Sequence, residues 1–267
     1  MLKNAVCEAN SKKVIFFGDS HILYLVNDKI YSEFRNFGAK SEPFYYTYYR
    51  LSAMYEKGLD AETIVLGIGY HSLSSYYDSY ITGAKSSELL TGYFYLLPSR
   101  QIYSIAKGID NSVIDMARRL FFNNLNNIFS RSYWNERYDN KFINTSMEET
   151  VVKRRISEQF INDSIEYKFS GLNRIYLDSI AELCSQNKSD LYLLSTPVHD
   201  AYRSNIPEQY ILYLDELVDT LGIAFIDYSD ELRSGESFTP DGDHVSMNGS
   251  DSVSAKLHAL FKDTLLY

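Results

Sequence analysis

Near its N-terminus the chain reads VIFFGDSH, at residues 14–21. The first four residues are apolar and β-branched or aromatic, and a glycine follows them at once. A run of this kind is typical of a buried strand that ends in a tight turn. A helix is predicted to follow from about His21 to Tyr31. The segment therefore predicts a strand, a turn and a helix, with Ser20 at the turn.

Similar apolar runs recur along the chain and alternate with segments of helical periodicity. The further predicted strands are Phe34–Phe37, Thr63–Leu66, Leu191–Leu194 and Ile223–Ile226, and the last predicted helix is Val253–Phe261. Strands that are apolar throughout indicate a parallel sheet with helices on both faces. The predicted fold class is therefore α/β, a three-layer α/β/α domain with a parallel sheet.

The stretch from about residue 84 to residue 170 interrupts this alternation. It shows helical patterns at Ile105–Phe122 and Val151–Tyr167, and no linker rich in Pro, Gly or Ser lies on either side. Such a linker would be expected between separate domains. We therefore expect a single domain, residues 1–267, that carries a largely helical insertion on the rim of the sheet.

The composition excludes several classes of protein. The chain has 267 residues, 45% of them hydrophobic, and a formal net charge of −9. This acidity argues against nucleic acid as a partner, because phosphate binding needs a basic face. No apolar run is long enough for a signal peptide core or a membrane helix. We expect a soluble chain, cytoplasmic by default or envelope-associated if an N-terminal anchor has been removed.

No metal site or cofactor motif is evident. Cys7 and Cys184 are far apart and have no zinc-type spacing, and the glycines at 67 and 69 lack the third glycine of a dinucleotide fingerprint. The 24 tyrosines cluster at 44–49, 70–80 and 93–103, which reflects either a compositional bias or a binding role. We expect no metal and no cofactor.

The residues most suited to chemistry follow the predicted strands, because parallel α/β sheets bind ligands at the carboxyl ends of their strands. Ser20 lies there, at the start of a helix, which is a favourable place for a nucleophile. His244 can act as its base if the C-terminal loop folds beside the first strand. Asp241 lies three residues earlier, so one turn can present its carboxylate to the histidine.

Two motifs resemble those of a known family. FFGDSH at residues 16–21 is similar to the first motif block of the SGNH (GDSL-like) hydrolase superfamily, and DGDH at 241–244 resembles its closing D-x-x-H block. The resemblance implies an SGNH or flavodoxin-like fold, with Ser20 as nucleophile, His244 as base and Asp241 as the acid that orients the base. Asp243 is the weaker candidate for that acid.

The middle of the predicted site departs from the family pattern. Ser41 stands where the family has a glycine whose amide donates to the oxyanion, and Gly69 replaces the asparagine of the third block. His71 or Tyr70 could supply the missing donor, or the amides of Ser20 and Ser41 could act without it. His71 fits a structural hydrogen bond equally well.

Other polar residues have simpler predicted roles. His199 is expected on the rim of the site, where it either contacts substrate or caps a loop. Asp19 is expected to fix the turn by binding nearby amides. His21 is expected to point elsewhere on its helix, in a packing or substrate-edge role. The basic run Lys153–Arg155 is interpreted as a solvated helix face.

The chain as a whole is similar to SGNH-type proteins encoded among bacterial surface-polysaccharide genes. That resemblance implies a serine esterase acting on an O-acyl ester, with O-acetyl on a carbohydrate as the favoured group. The expected partner is a small-molecule or glycan ester. Two alternatives remain open, a polysaccharide O-acetyltransferase that uses the same triad and a catalytically weak glycan-binding or assembly protein.

Overall fold

The main sheet has five strands, all parallel. The computed structural model describes residues 2–83, 85–107, 147–162 and 165–264. The strands of this sheet are β1 (Val14–Phe17), β2 (Phe34–Asn36), β3 (Thr63–Ile68), β6 (Asp190–Ser195) and β7 (Ala224–Asp227), and a separate antiparallel hairpin contains β4 (Ile161–Asn162) and β5 (Ile165–Glu166). The order in the sheet is β2-β1-β3-β6-β7, which is the flavodoxin-like order. The predicted parallel sheet is confirmed.

Helices connect the strands and cover the sheet. They are α1 (Leu2–Ala9), α2 (Ser20–Leu25), α3 (Phe44–Glu56), α4 (Asp78–Ile81), α5 (Ser86–Tyr93), α6 (Ser99–Lys107), α7 (Glu149–Phe160), α8 (Gly171–Gln186), α9 (Asp200–Arg203), α10 (Glu208–Leu221) and α11 (Met247–Thr264). No helix in the described ranges is long and apolar enough to cross a membrane.

The two faces of the sheet bury two separate cores. Side chains alternate along β1, so Ile15 and Phe17 pack with α1, α3, α8 and α10, whereas Val14 and Phe16 pack with α2 and α11. All four side chains are fully buried. This arrangement confirms the predicted three layers, because an apolar strand needs a helix on each face.

Two predicted helices are shorter than expected. Helix α2 ends at Leu25, whose carbonyl accepts hydrogen bonds from the hydroxyls of Ser250 and Ser254 in α11, at 2.9 and 3.0 Å. These hydroxyls take the place of the backbone N–H that a further helical turn would supply. The predicted helix Val151–Tyr167 ends at Phe160 instead, where the chain enters the β4–β5 hairpin. Helix α2 ends through contacts with α11, and α7 ends where the chain begins to pair as strands. Hydrophobic periodicity reveals neither of these contacts.

The predicted insertion is described only in part, since its residues 108–146 lie outside the described residues. The described flanks contain α5, α6 and α7 and the small hairpin. The predicted helix Ile105–Phe122 falls mostly outside these ranges as well. The insertion therefore stays a prediction.

Many tyrosines from the Tyr-rich segments pack against one another in a third core. Its buried tyrosines are Tyr45, Tyr46, Tyr76, Tyr77, Tyr80 and Tyr93. Tyr46 and Tyr93 stack obliquely with ring centres 4.7 Å apart, and the Tyr76 and Tyr80 hydroxyls are hydrogen-bonded at 2.9 Å. These rings fill the space beside α3 that smaller apolar side chains would leave open.

Candidate active site

The turn after β1 places Ser20 at the first position of α2. Asp19 caps this helix, and its carboxylate accepts a hydrogen bond from the His21 backbone N–H at 2.9 Å. Because Ser20 begins the helix, its own N–H has no intrahelical acceptor. The local sequence thus presents a hydroxyl and a backbone donor at the carboxyl end of β1.

The loop before α11 is folded around the carboxylate of Asp241. One oxygen, Oδ1, accepts from the backbone N–H groups of Asp243 and His244, both at 3.1 Å, and from the Thr239 hydroxyl at 2.6 Å. Gly242 sits inside this turn with φ +67°, a conformation that glycine adopts without strain. The turn leaves the other carboxylate oxygen, Oδ2, free to face the His244 ring.

Ser20, His244 and Asp241 form a continuous chain of hydrogen bonds. The Ser20 Oγ lies 2.8 Å from His244 Nε2, and His244 Nδ1 lies 2.8 Å from Asp241 Oδ2. A carboxylate can only accept, so the proton of a neutral His244 is on Nδ1 and Nε2 is left to accept the serine proton. Burial raises the pKa of Asp241, but the adjacent His244 outweighs it and holds that pKa below its ordinary value. Asp241 therefore stays ionised.

His199 lies next to this loop and stabilises it. Its Nδ1 accepts from the Ala201 N–H at 3.0 Å, which caps α9, and its backbone N–H donates to the Gly242 carbonyl at 2.8 Å. Its ring meets the edge of Phe238, with centres 5.3 Å apart. Of the two roles considered for His199, these contacts favour the cap.

Gly69 makes room for the ring of His71. A Cβ on Gly69 would lie 2.7 Å from His71 Cε1 and 3.0 Å from its Nδ1, so the imidazole fills the space beside the glycine. The Gly69 N–H donates to the Ser72 hydroxyl at 3.1 Å and is not directed at the triad. His71, rather than a side chain at position 69, therefore forms this part of the site.

The hydrogen bonds of His71 favour a structural role over an oxyanion donor. Its Nε2 lies 2.8 Å from Asp19 Oδ2 and must carry a proton to donate there. Burial and the neighbouring charge of His21 lower the pKa of His71, so the ring is neutral and Nδ1 has no proton to give. The Tyr70 hydroxyl interacts with Ser229, and its ring belongs to the core of α3, α8 and α10.

Ser41 has a backbone conformation that glycine adopts more readily than other residues. Its φ is +56°, in the left-handed region, although serine adopts it less readily than glycine. The loop is held by Glu42, whose carboxylate accepts from Arg50 Nη2 at 2.7 Å, while the same guanidinium donates to the Phe37 carbonyl at 2.6 Å. Both charged side chains are almost fully buried.

The prediction that His21 points elsewhere on its helix is wrong, because its ring lies against the proposed base, although the packing role predicted for it fits the structure. Its ring is buried and stacks on the His244 ring with centres 4.3 Å apart and planes 18° apart, and on the other side it stacks on His71 at 4.1 Å. The ring lies between the carboxylates of Asp19 and Asp243. Helical periodicity alone does not show this, because both carboxylates lie outside α2.

Arg155 is a second residue that sequence reasoning missed. Its Nε donates to Asp243 Oδ2 at 2.8 Å, and Gln159, one turn further along α7, donates to the same oxygen at 3.0 Å. Lys153 and Arg154 are solvated as expected, with side chains 63% and 70% exposed, but Arg155 is only 20% exposed. The basic run Lys153–Arg155 was the sequence feature that could have indicated this contact, and Arg155 is the one of its three residues that faces inward.

Within the part of the chain that the structure describes, two groups of side chains have the atoms to bind a metal ion, Asp19 with His21 and His71, and His21 with Asp243 and His244. Asp19 contacts His21 at 2.9 Å and His71 at 2.8 Å, and His21 contacts Asp243 at 2.8 Å. A metal ion would have to displace the protons that these contacts share. Asp19 therefore already contacts both histidines through hydrogen bonds, whereas His21 Nε2 and Asp243 Oδ1 meet as an ion pair.

Replacing Gly69 with alanine is expected to destabilise the protein by roughly 1–3 kcal/mol, because the added methyl group overpacks the site against the His71 ring. Denaturant unfolding monitored by circular dichroism measures this change. Gly171→Ala is the matched control, since a Cβ there meets no atom within 4 Å. Equal unfolding free energies for the two variants would contradict the close contact between Gly69 and His71.

No family model matches the chain, and no curated protein sequence does either. Among solved structures, it is similar to a GDSL-like lipase from Bacteroides thetaiotaomicron, with 12% identity, a TM-score of 0.47, and coverage of 98% of this chain and 95% of the other. It is also similar to a Bacteroides fragilis protein described as an acylhydrolase, with 15% identity, a TM-score of 0.45, and coverage of 98% of this chain and 95% of the other. The three-layer α/β/α fold of the chain is established by its own parallel sheet and flavodoxin-like strand order.

Proposed function

We propose that the chain is a serine esterase of the SGNH type, which hydrolyses an O-acyl ester through a covalent acyl-enzyme. One observation carries the proposal, the hydrogen-bonded chain from Ser20 Oγ through His244 to Asp241, with both links at 2.8 Å. A serine, a base and an orienting carboxylate in this geometry are the requirements for nucleophilic acyl transfer.

Acylation begins when Ser20 Oγ attacks the ester carbonyl and its proton passes to His244 Nε2. The resulting imidazolium is stabilised by the ionised Asp241 on the other side of the ring. The backbone N–H of Ser20 and that of Ser41 are the proposed donors to the oxyanion. Collapse of the tetrahedral intermediate breaks the ester C–O bond, and the alcohol leaves with the proton from His244.

Deacylation repeats these steps with water as the nucleophile. His244 takes a proton from the water, which attacks the acyl carbonyl, and the acid product leaves as Ser20 recovers its proton. If a sugar hydroxyl takes the place of water, the same steps transfer the acyl group. The carbohydrate part of the proposal comes from the resemblance to SGNH-type proteins of surface-polysaccharide gene clusters, and acetyl is the acyl group expected from it.

A fluorophosphonate probe tests the proposal directly, because an activated serine displaces fluoride from phosphorus and keeps the label. We expect the wild-type chain to be labelled and Ser20→Ala to show no labelling. The wild-type chain should likewise release nitrophenol from p-nitrophenyl acetate, and Ser20→Ala should not. The label is detected by intact-protein mass spectrometry and located by peptide mapping.

Ser32→Ala is the control, since Ser32 is exposed and its hydroxyl donates to the neighbouring Glu33 carboxylate. Its labelling should equal that of the wild type. Absence of label on the folded wild-type chain would overturn the proposal and favour a non-catalytic glycan-binding protein. Faster turnover of the acetyl ester on addition of an unacetylated glycan, with acetyl recovered on the glycan, would assign the transferase instead.

A further inference from the structure

His21 lies between two buried carboxylates, one on each side of its ring. Its Nδ1 is 2.9 Å from Asp19 Oδ1, and its Nε2 is 2.8 Å from Asp243 Oδ1. All three side chains are almost completely buried. The Nε2 contact is a close ion pair without the alignment of a hydrogen bond.

Only a doubly protonated imidazole fits this position. Carboxylates accept and do not donate, so each ring nitrogen of His21 needs its own proton. A neutral ring would place a nitrogen lone pair 2.8 Å from a carboxylate oxygen, and both would be buried and unpaired. Burial lowers the pKa of His21, but Asp19 and Asp243 outweigh this effect and raise the pKa to about 10.

Each of the two carboxylates also accepts hydrogen bonds from side chains other than His21. Asp19 Oδ2 also accepts from His71 and from the Tyr77 hydroxyl. On the other side, Arg155 and Gln159 donate to Asp243 Oδ2. The set therefore contains two buried carboxylates, one buried imidazolium and one half-buried guanidinium, so each buried charge has a partner of opposite charge.

The two carboxylates belong to the two loops that carry the proposed triad. Asp19 directly precedes Ser20, and Asp243 directly precedes His244. These loops come from opposite ends of the chain, and the Ser20 to His244 hydrogen bond spans 224 positions. The His21 ring also stacks on the His244 ring at 4.3 Å, so it limits the tilt of the proposed base.

We infer that His21 is a positioning residue, an imidazolium that clamps the nucleophile loop to the base loop and supports the ring of His244 from behind. This inference rests on the proposed function, because it assigns a role in the same triad. His21 touches neither Ser20 Oγ nor the proposed substrate carbonyl in this role. Arg155 and Gln159 extend the clamp to α7.

His21→Gln should lower kcat for p-nitrophenyl acetate, and the rate of fluorophosphonate labelling, by about 10- to 100-fold, which is the cost of misplacing catalytic groups by about an ångström. KM should stay within about twofold, since no substrate contact is removed. Asp243→Asn should have a similar effect. The double variant should lose no more than the more affected single variant, because both changes break one clamp.

Nitrogen-15 NMR of the folded wild-type chain measures the protonation of His21 without reference to activity. Both ring nitrogens should keep the imidazolium signature between about pH 5 and pH 8, the range in which an ordinary histidine loses its proton. The titratable or charged groups around this ring are Asp19, Asp243, His71, His244 and Arg155. A neutral His21 anywhere in this range would overturn the inference.

His258→Gln is the control, because His258 lies on α11 against Tyr31 and Glu33 and belongs to no part of the triad. It should retain wild-type kcat and labelling.

Labelling of His21→Gln and Asp243→Asn at the wild-type rate, with labelling still dependent on Ser20, would overturn the positioning role alone. No labelling of the wild type would overturn the proposed function and this role together. If His21→Gln does not fold, Asp243→Asn and the NMR measurement decide the question.

Discussion

Replacement of His244 by glutamine is expected to lower kcat for an acyl ester by about 10⁴- to 10⁶-fold, the range found when the base of a catalytic triad is removed. Glutamine is similar in length to histidine but cannot take the Ser20 proton at neutral pH. The Ser20 hydroxyl then stays protonated during attack, and no group returns a proton to the leaving alcohol. Steady-state hydrolysis of p-nitrophenyl acetate measures the loss.

The same measurement on a double variant tests whether the groups act as a unit. Ser20→Ala combined with His244→Gln should be no slower than the slower single variant, because the nucleophile and base depend on each other. His258→Gln serves as the matched histidine control, with wild-type kcat expected. Activity of His244→Gln within about tenfold of the wild type would mean that another group accepts the proton.

Replacement of Arg50 by methionine is expected to lower the free energy of unfolding by about 3–5 kcal/mol, the usual cost of removing one partner from a buried ion pair. Arg50 and Glu42 have side chains that are 1% and 0% exposed. Burial raises the pKa of Glu42, and Arg50 opposes that rise. Without the guanidinium, the carboxylate either stays charged without a cation or takes up a proton.

The loss extends to the loop that carries Ser41. The Arg50 guanidinium donates to the Phe37 carbonyl and lies 5.1 Å from the centre of the Phe17 ring, so its removal breaks both contacts. Arg174→Met is the control, because Arg174 pairs with Asp178 on the surface of α8 and such pairs contribute about 0–1 kcal/mol. Equal destabilisation of the two variants in denaturant unfolding would contradict a structural role for the Glu42–Arg50 pair.

The two ends of the candidate site could be predicted because each depends on local sequence. The GDS turn follows an apolar strand, and Asp241 lies three residues before His244, so their local geometry is set by a turn of a few residues. The meeting of these turns follows from a parallel sheet, whose strand ends lie at one edge. The catalytic roles stay predictions until the labelling experiment is done.

The middle of the site could not be predicted in the same way. Gly69 in place of asparagine suggested a missing donor, with His71 as a substitute. In the structure, the His71 proton is directed at Asp19, and that direction depends on a carboxylate 52 positions away in the sequence. A residue type indicates which bonds a side chain can make, but only its neighbours in space select the bond that it makes.

Local sequence was enough to predict the five strands of the main sheet, the turns at Ser20 and Asp241, and the three-layer class of the fold, because hydrophobic period, glycine and short-range hydrogen bonds act over a few residues. The folded chain alone reveals the surroundings that set the charge state of His21, the inward direction of Arg155 and the end of α2 at Leu25. Each of these depends on a partner that is distant in the sequence, and burial makes that partner decisive, since a charged or polar group removed from water must be paired.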